Sequence, residues 1–279
     1  MILKVKKYYL LKDLFLNIKK LPSSRMYIAG GSDISVLIKN SNINAECLID
    51  ISDIKELNII KKEGDSIFIG SAVKIAELEK NSLIKRFAPA LYECVSYYAS
   101  PSIRNIATLG GNLANASPCA DGVLALMALR AKAVLNLYGK RRICKVDDIL
   151  VRPKKTLLKK DELIEGFIVD KFFEKSVFIK TIGRKAFGIA KAGICVCLNL
   201  DGSIVKDINI AVSSVAPTVK SCIETSKFLT GKKLTQDLII SAMDIIKKEI
   251  APIDDHRSEA DYRKEITGVM LKRALLRFI

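Results

Sequence analysis

The sequence predicts an α+β chain in two pieces. Strands and helices alternate irregularly up to about residue 170, and beyond that point strands come first and helices last. The two patterns meet near residues 170–176, which sets expected domains of 1–172 and 173–279. With 279 residues, 49% of them hydrophobic and 27% charged, the chain holds enough apolar mass for packed cores, which excludes disorder as its main state.

The elements follow from local patterns. Leu11, Leu14, Phe15 and Ile18 fall at helical spacing and predict a helix over 11–21. Residues 26–29 read as a strand that runs into Gly30-Gly31-Ser32-Asp33, then into a helix with Ile34, Leu37 and Ile38 turned inward. Residues 48–51 read as a strand, and 59–60 with 67–70 as a hairpin about Glu63-Gly64-Asp65. Ser71 is placed as the cap of a helix beginning at Val73, and 83–98 as a further helix. Residues 106–129 open on a second glycine turn and end as an apolar helix. A hairpin about Gly139 joins 133–137 to 142–144, and 161–182 carry two strands. Two more strands, 189–200 and 204–215, meet at Asp201-Gly202, and beyond Pro217 the pattern is helical.

The net charge of +16 comes largely from lysine pairs spread along the chain. No run of five like charges occurs, and aromatic residues do not interleave with the basic pairs, so nucleic acid is not an expected partner. Seven cysteines lack any CxxC, and the single His256 lies far from all of them, which leaves zinc and iron–sulfur ligation without ligands. Free thiols and the absence of an apolar leader or an 18-residue apolar run suggest a cytoplasmic chain that does not span a membrane.

Two segments carry the chemistry: Ala29-Gly30-Gly31-Ser32-Asp33, and Thr108-Leu109-Gly110-Gly111-Asn112 continuing through Asn115 to Pro118. Paired glycines allow positive φ and close approach to a ligand, and successive N–H groups then bind an anion. Two such turns can hold a diphosphate from two sides. Neither contains GxGxxG or a phosphate-binding GxxxxGK, so the common nucleotide folds are not indicated. Ser117 has no His or acid at motif spacing, which leaves a hydrolase nucleophile unsupported.

These motifs, with Ala120-Asp121, Arg104 and the 254–263 segment, resemble the FAD-binding subunit of molybdenum hydroxylases. That family includes the flavoprotein subunits of carbon monoxide, nicotinate and xanthine dehydrogenases. The resemblance implies an FAD-binding domain of the vanillyl-alcohol-oxidase type, followed by a small sheet-plus-helices domain. Tyr27, Ile28, Ala29, Gly30, Gly31, Ser32, Asp33 and Ile34 would line the diphosphate and ribityl region. Thr108, Leu109, Gly110, Gly111, Asn112 and, further on, Asn115 would close it from the other side. Asp121 would bind adenosine or ribityl hydroxyls, and Ile164 would touch the adenine. Lys180 would sit at the isoalloxazine, where a cation stabilises the reduced anion, with Tyr98 and Ile189 flanking the ring.

The resemblance further implies an iron–sulfur subunit and a molybdenum subunit as partners, with electrons passing through FAD to NAD or another acceptor. Where NAD-reducing relatives carry acids just before the position of Ile189, this chain reads Arg184-Lys185-Ala186-Phe187-Gly188, so ferredoxin or quinone stays open beside NAD. No side chain is expected to act as acid, base or nucleophile. The rival expectation is a flavin-less scaffold that docks the other subunits.

Overall fold

The computed structural model describes residues 3–170, 172–184 and 187–279. A parallel three-stranded sheet opens the chain. Strand β1 (Lys4–Lys7) is followed by α1 (Leu11–Asn17), β2 (Arg25–Ile28), α2 (Ile34–Lys39) and β3 (Cys47–Asp50), in the order β1-β3-β2. Leu11, Leu14 and Ile18 pack with Ile49, Ile51 and Ile54 beneath it, as their helical spacing requires.

Helix α2 behaves otherwise. None of its residues is buried, and Val36, Leu37 and Ile38 are exposed, against the inward placement expected of Leu37 and Ile38. Periodicity marks an apolar face but does not say what covers it.

A second sheet is antiparallel. Strands β4 (Ile60–Glu63) and β5 (Ser66–Gly70) form the expected hairpin. Between β5 and the next strand run α3 (Ile75–Leu78), α4 (Ser82–Phe87), α5 (Pro89–Val95), α6 (Pro101–Arg104), α7 (Leu109–Ala114) and α8 (Asp121–Ala128). Two expectations fail here. The helix at 83–98 is broken, because Pro89 starts α5 and drives Ala88 out of helical geometry (φ −136°, ψ 57°). Ser71 caps nothing: α3 begins at Ile75, and residues 71–72 form a turn in which the Ala72 and Val73 N–H groups donate to the carbonyls of Leu57 and Gly70.

Strands β6 (Lys132–Leu137) and β7 (Lys140–Lys145) meet at Tyr138-Gly139, both with positive φ. The short pair β8 (Leu150–Arg152) and β9 (Lys155–Thr156) precedes β10 (Leu163–Val169), which completes the order β4-β5-β10-β6-β7. Beyond residue 173 come β11 (Lys175–Ile182), β12 (Ala190–Asp201), β13 (Ile204–Ser213) and β14 (Lys220–Ser221), an antiparallel sheet in chain order. Helices α9 (Ile223–Leu229), α10 (Gln236–Glu249) and α11 (Ala260–Leu275) close the fold.

Strand β12 is buried on both faces. Ile194, Val196 and Leu198 face α10 and α11, while Cys195 and Cys197 belong to the core of the first 170 residues. Gly193 lies on the same side as those two cysteines. A Cβ there would stand 2.5 Å from Ser213 Oγ and 3.2 Å from Leu124 Cδ2, so the glycine gives those two side chains room where α8 meets the sheet. Asn209 on β13 then donates to the carbonyls of Met127 and Ala128 (2.8 and 2.9 Å), satisfying the C-terminal end of α8 from across the joint.

Candidate functional site

The first glycine segment leaves β2 as it separates from β3. Gly31 takes the left-handed conformation (φ +73°), which turns the chain into α2. Among the described residues, no acceptor takes the N–H groups of Gly30, Gly31, Ser32 or Asp33. This run of free amides is an anion cradle of the kind the sequence suggests.

The second segment is built differently. Gly110 and Gly111 form the first turn of α7 and have no positive φ. The N–H groups of Leu109, Gly110, Gly111 and Asn112 are taken by Val73 O, Ser71 O (2.8 Å), Thr108 Oγ1 (3.1 Å) and Thr108 O. In this segment the amides are engaged within the chain, in contrast to the free run at 30–33. The glycines serve packing instead. A Cβ on Gly110 would lie 2.5 Å from Ser71 Cβ, and a Cβ on Gly30 would lie 1.7 Å from the carbonyl oxygen of Ile106. The first segment therefore packs against the Ile106–Ala107 backbone that leads into the second.

Side chains reinforce that contact. Asn115 donates to Asp33 (2.7 Å) and accepts from Lys154 Nζ (2.7 Å). Asn112 donates to the Tyr98 hydroxyl (3.1 Å) and accepts from the N–H of Val123 (3.1 Å), so its amide orients Tyr98 and starts α8. Tyr98 is 9% exposed, and burial with the charge of Asp121 pushes its phenol up, keeping it neutral. Arg104 fastens the turn before α6 through the carbonyls of Tyr98 and Ala99.

Asp121 does not cap α8; it pairs with Lys180 of β11 at 2.6 Å, both buried. Lys180 also donates to the Tyr97 carbonyl (3.2 Å). Burial pushes the Asp121 carboxyl up from the ordinary range, and Lys180 works against that rise. Its Oδ1 is buried with no partner, and so is the Ser71 hydroxyl. An orphaned carboxylate oxygen in such a place fits a ligand hydroxyl.

The remaining expected residues divide. Tyr27 donates to Asp161 O (2.9 Å) and so acts as a brace, and Ile28 sits against Gly31. Ile164 lies in the main core on β10, one residue before the Glu165 carbonyl that holds Ser71 N. Ile189 is 60% exposed on the wall of a cleft of about 410 Å³. Lys185 and Ala186 lie outside the described residues. Sequence reasoning missed Lys154, because one lysine among so many carries no signal until its Asn115 and Asp33 partners are seen.

The 254–263 segment is a charge cluster. Glu259 occupies the cap position of α11, and Asp254 takes the Ala260 N–H at 2.6 Å. Asp255 binds both Arg257 and Arg263 (2.5 Å each). The Arg257 bond holds the Asp255 carboxyl well below its usual range, Arg263 adds to this, and burial opposes it. A depressed carboxyl stabilises the fold above its ordinary titration range near about 4 and loses that contribution as pH falls through its folded value. Asp255→Asn should therefore lower urea stability at neutral pH by about 1–3 kcal/mol, a deficit that shrinks toward about pH 2–3. A deficit independent of pH would sink this assignment.

The comparisons with known proteins agree with the geometry. Residues 11–170 match the model of the FAD binding domain in molybdopterin dehydrogenase, and 178–278 match the CO dehydrogenase flavoprotein C-terminal domain. The carbon monoxide dehydrogenase medium chain of Hydrogenophaga pseudoflava is 31% identical over 257 residues, covering 92% of this chain and 90% of that one. The glyceraldehyde dehydrogenase medium chain of Sulfolobus acidocaldarius is 27% identical over 247 residues, covering 88% of each. A solved carbon monoxide dehydrogenase from H. pseudoflava superposes with a TM-score of 0.93 at 29% identity, over 99% of this chain and 98% of that one.

The chain belongs to the family of FAD-binding medium subunits of molybdopterin dehydrogenases. It is a flavoprotein component of an oxidoreductase, with FAD as its cofactor. Among the described residues, no helix is long and apolar enough to cross a membrane.

Proposed function

We propose that this chain takes electrons from the iron–sulfur subunit of a molybdenum-containing complex and delivers them through FAD to NAD or another acceptor. The observation that carries this reading is the free amide run 30–33 lying against the α7 turn, with the unpartnered Asp121 oxygen on the neighbouring helix α8. The amides suit a diphosphate and Asp121 suits a hydroxyl of the ribityl chain, with its charge held by Lys180. Thr108, Leu109, Gly110, Gly111, Asn112 and Asn115 position the cradle, and Tyr98 supplies an oriented aromatic surface beside it. Bound FAD accepts single electrons and releases a pair, so the redox chemistry is the cofactor's and the residues supply binding, orientation and exclusion of water. In this reading the chain divides into an FAD-binding domain, 1–172, and a C-terminal domain, 173–279.

The purified chain should show flavin bands near about 370 and about 450 nm, and should release about one FAD per chain on heating. Mixing it anaerobically with a reduced iron–sulfur partner subunit should bleach the band near about 450 nm. A colourless chain that refuses added FAD would overturn the cofactor site in favour of a scaffold. A yellow chain that its partner cannot bleach would overturn the electron route alone.

A further inference from the structure

The hairpin β8–β9 stands apart from the larger sheets, yet its tip is tied to the α7 end of the cradle. Arg152 pairs with Lys155, so Pro153 and Lys154 alone make the turn. Lys154 has a φ of +62°, at a place where a turn that begins with proline ordinarily takes glycine or asparagine. Its N–H donates to the carbonyl of Ala116 (3.0 Å), and Ala116 has a φ of +45°. Two left-handed residues with side chains thus meet in one hydrogen bond. Backbone strain of this kind gathers at ligand clamps.

What the strained tip positions is an ammonium group. Lys154 Nζ donates to Asn115 Oδ1 at 2.7 Å and stands 3.9 Å from Asp33 Oδ1. Asn115 donates its amide to that same oxygen at 2.7 Å. Asp33 ends the free amide run 30–33, so its carboxylate opposes any anion that those amides receive. Among the described residues, Lys154 is the one cation within ion-pair distance of Asp33.

We propose that Lys154 is the charge partner that lets the cradle accept a diphosphate beside Asp33. Its ammonium offsets the carboxylate and the incoming phosphates together, so it governs how tightly FAD is held and not how the chain folds. This rests on the cofactor reading above. Lys154 is exposed, so its contribution is open to screening by salt. A side chain is retained at a position that glycine suits better, which is the mark of a residue kept for its charge.

The test is titration of the full chain, dialysed free of flavin, with FAD at low and at high salt, following flavin fluorescence. Melting of the flavin-free samples is read alongside. Lys154→Gln should weaken FAD about tenfold at low salt and by less at high salt, while Lys154→Arg keeps most of the affinity. Adding Asp33→Asn to Lys154→Gln should regain most of the loss. Lys154→Gly should melt no lower than the parent, because glycine suits the left-handed turn, and should still bind FAD as weakly as Lys154→Gln. Unchanged affinity in both Lys154→Gln and Lys154→Gly would overturn the proposal and leave the cofactor reading standing. So would a loss that neither salt nor Asp33→Asn diminishes. A parent chain that binds no FAD would overturn both.

Discussion

Gly30→Ala should abolish the native fold of the first glycine segment, at a cost above about 3 kcal/mol. The added Cβ would sit 1.7 Å from the Ile106 carbonyl oxygen, and both partners are backbone, so no rotamer change relieves the clash. The two segments must separate, and the anion cradle separates with them. Gly31→Ala supplies the contrast. Its Cβ would meet only the Ile28 side chain at 3.4 Å, so the cost is the left-handed backbone, about 1–2 kcal/mol. Urea denaturation and FAD content of both variants test this together. A Gly30→Ala chain as stable as the parent would show that the segments do not touch as described.

Lys180→Met is the second large effect. It strands the Asp121 carboxylate in a buried site, and breaking such a pair from one side costs about 3–5 kcal/mol. With Lys180 gone, only burial acts on Asp121, and its carboxyl rises further. A folded-state value above the unfolded one means that the folded chain binds the extra proton. Stability therefore falls as pH rises through the window between the two values, and recovers as pH is lowered through it. Lys180→Met should be distinctly more stable near about pH 5 than near about pH 8, and the double variant Lys180→Met, Asp121→Leu should regain much of the loss. An equally unstable double variant, with no pH dependence in the single one, would show that the pair carries no uncompensated charge.

Much of this was legible in the residues. Apolar runs and helical patterns placed most strands and helices, because the unbroken apolar run of β12 reflects burial on both faces and the spacing at α1 reflects one buried face. The fold class and the two glycine segments were legible too. What the glycines do was not. Gly31 needs its φ, whereas Gly30 and Gly110 are demanded by Ile106 and Ser71, residues distant in sequence whose approach no local pattern records. The Asp121–Lys180 pair was likewise invisible as a pair, since 59 positions separate its members. The inward face expected of α2 failed because an apolar stripe does not reveal whether a partner element exists to meet it. The Arg184–Gly188 stretch was legible as a departure from the acids of NAD-reducing relatives.

The Gly193, Cys195, Cys197 side of β12 has a consequence for how this family can vary. That side is contoured to a helix made from residues 121–128, and Asn209 closes the same helix from the next strand. The two halves therefore share an inheritance at the level of side-chain size. Enlarging any of these three small residues calls for a smaller residue on α8 or α5. A chimera joining the first half of this chain to the second half of a distant relative would carry a mismatched seam unless α8 travelled with its sheet.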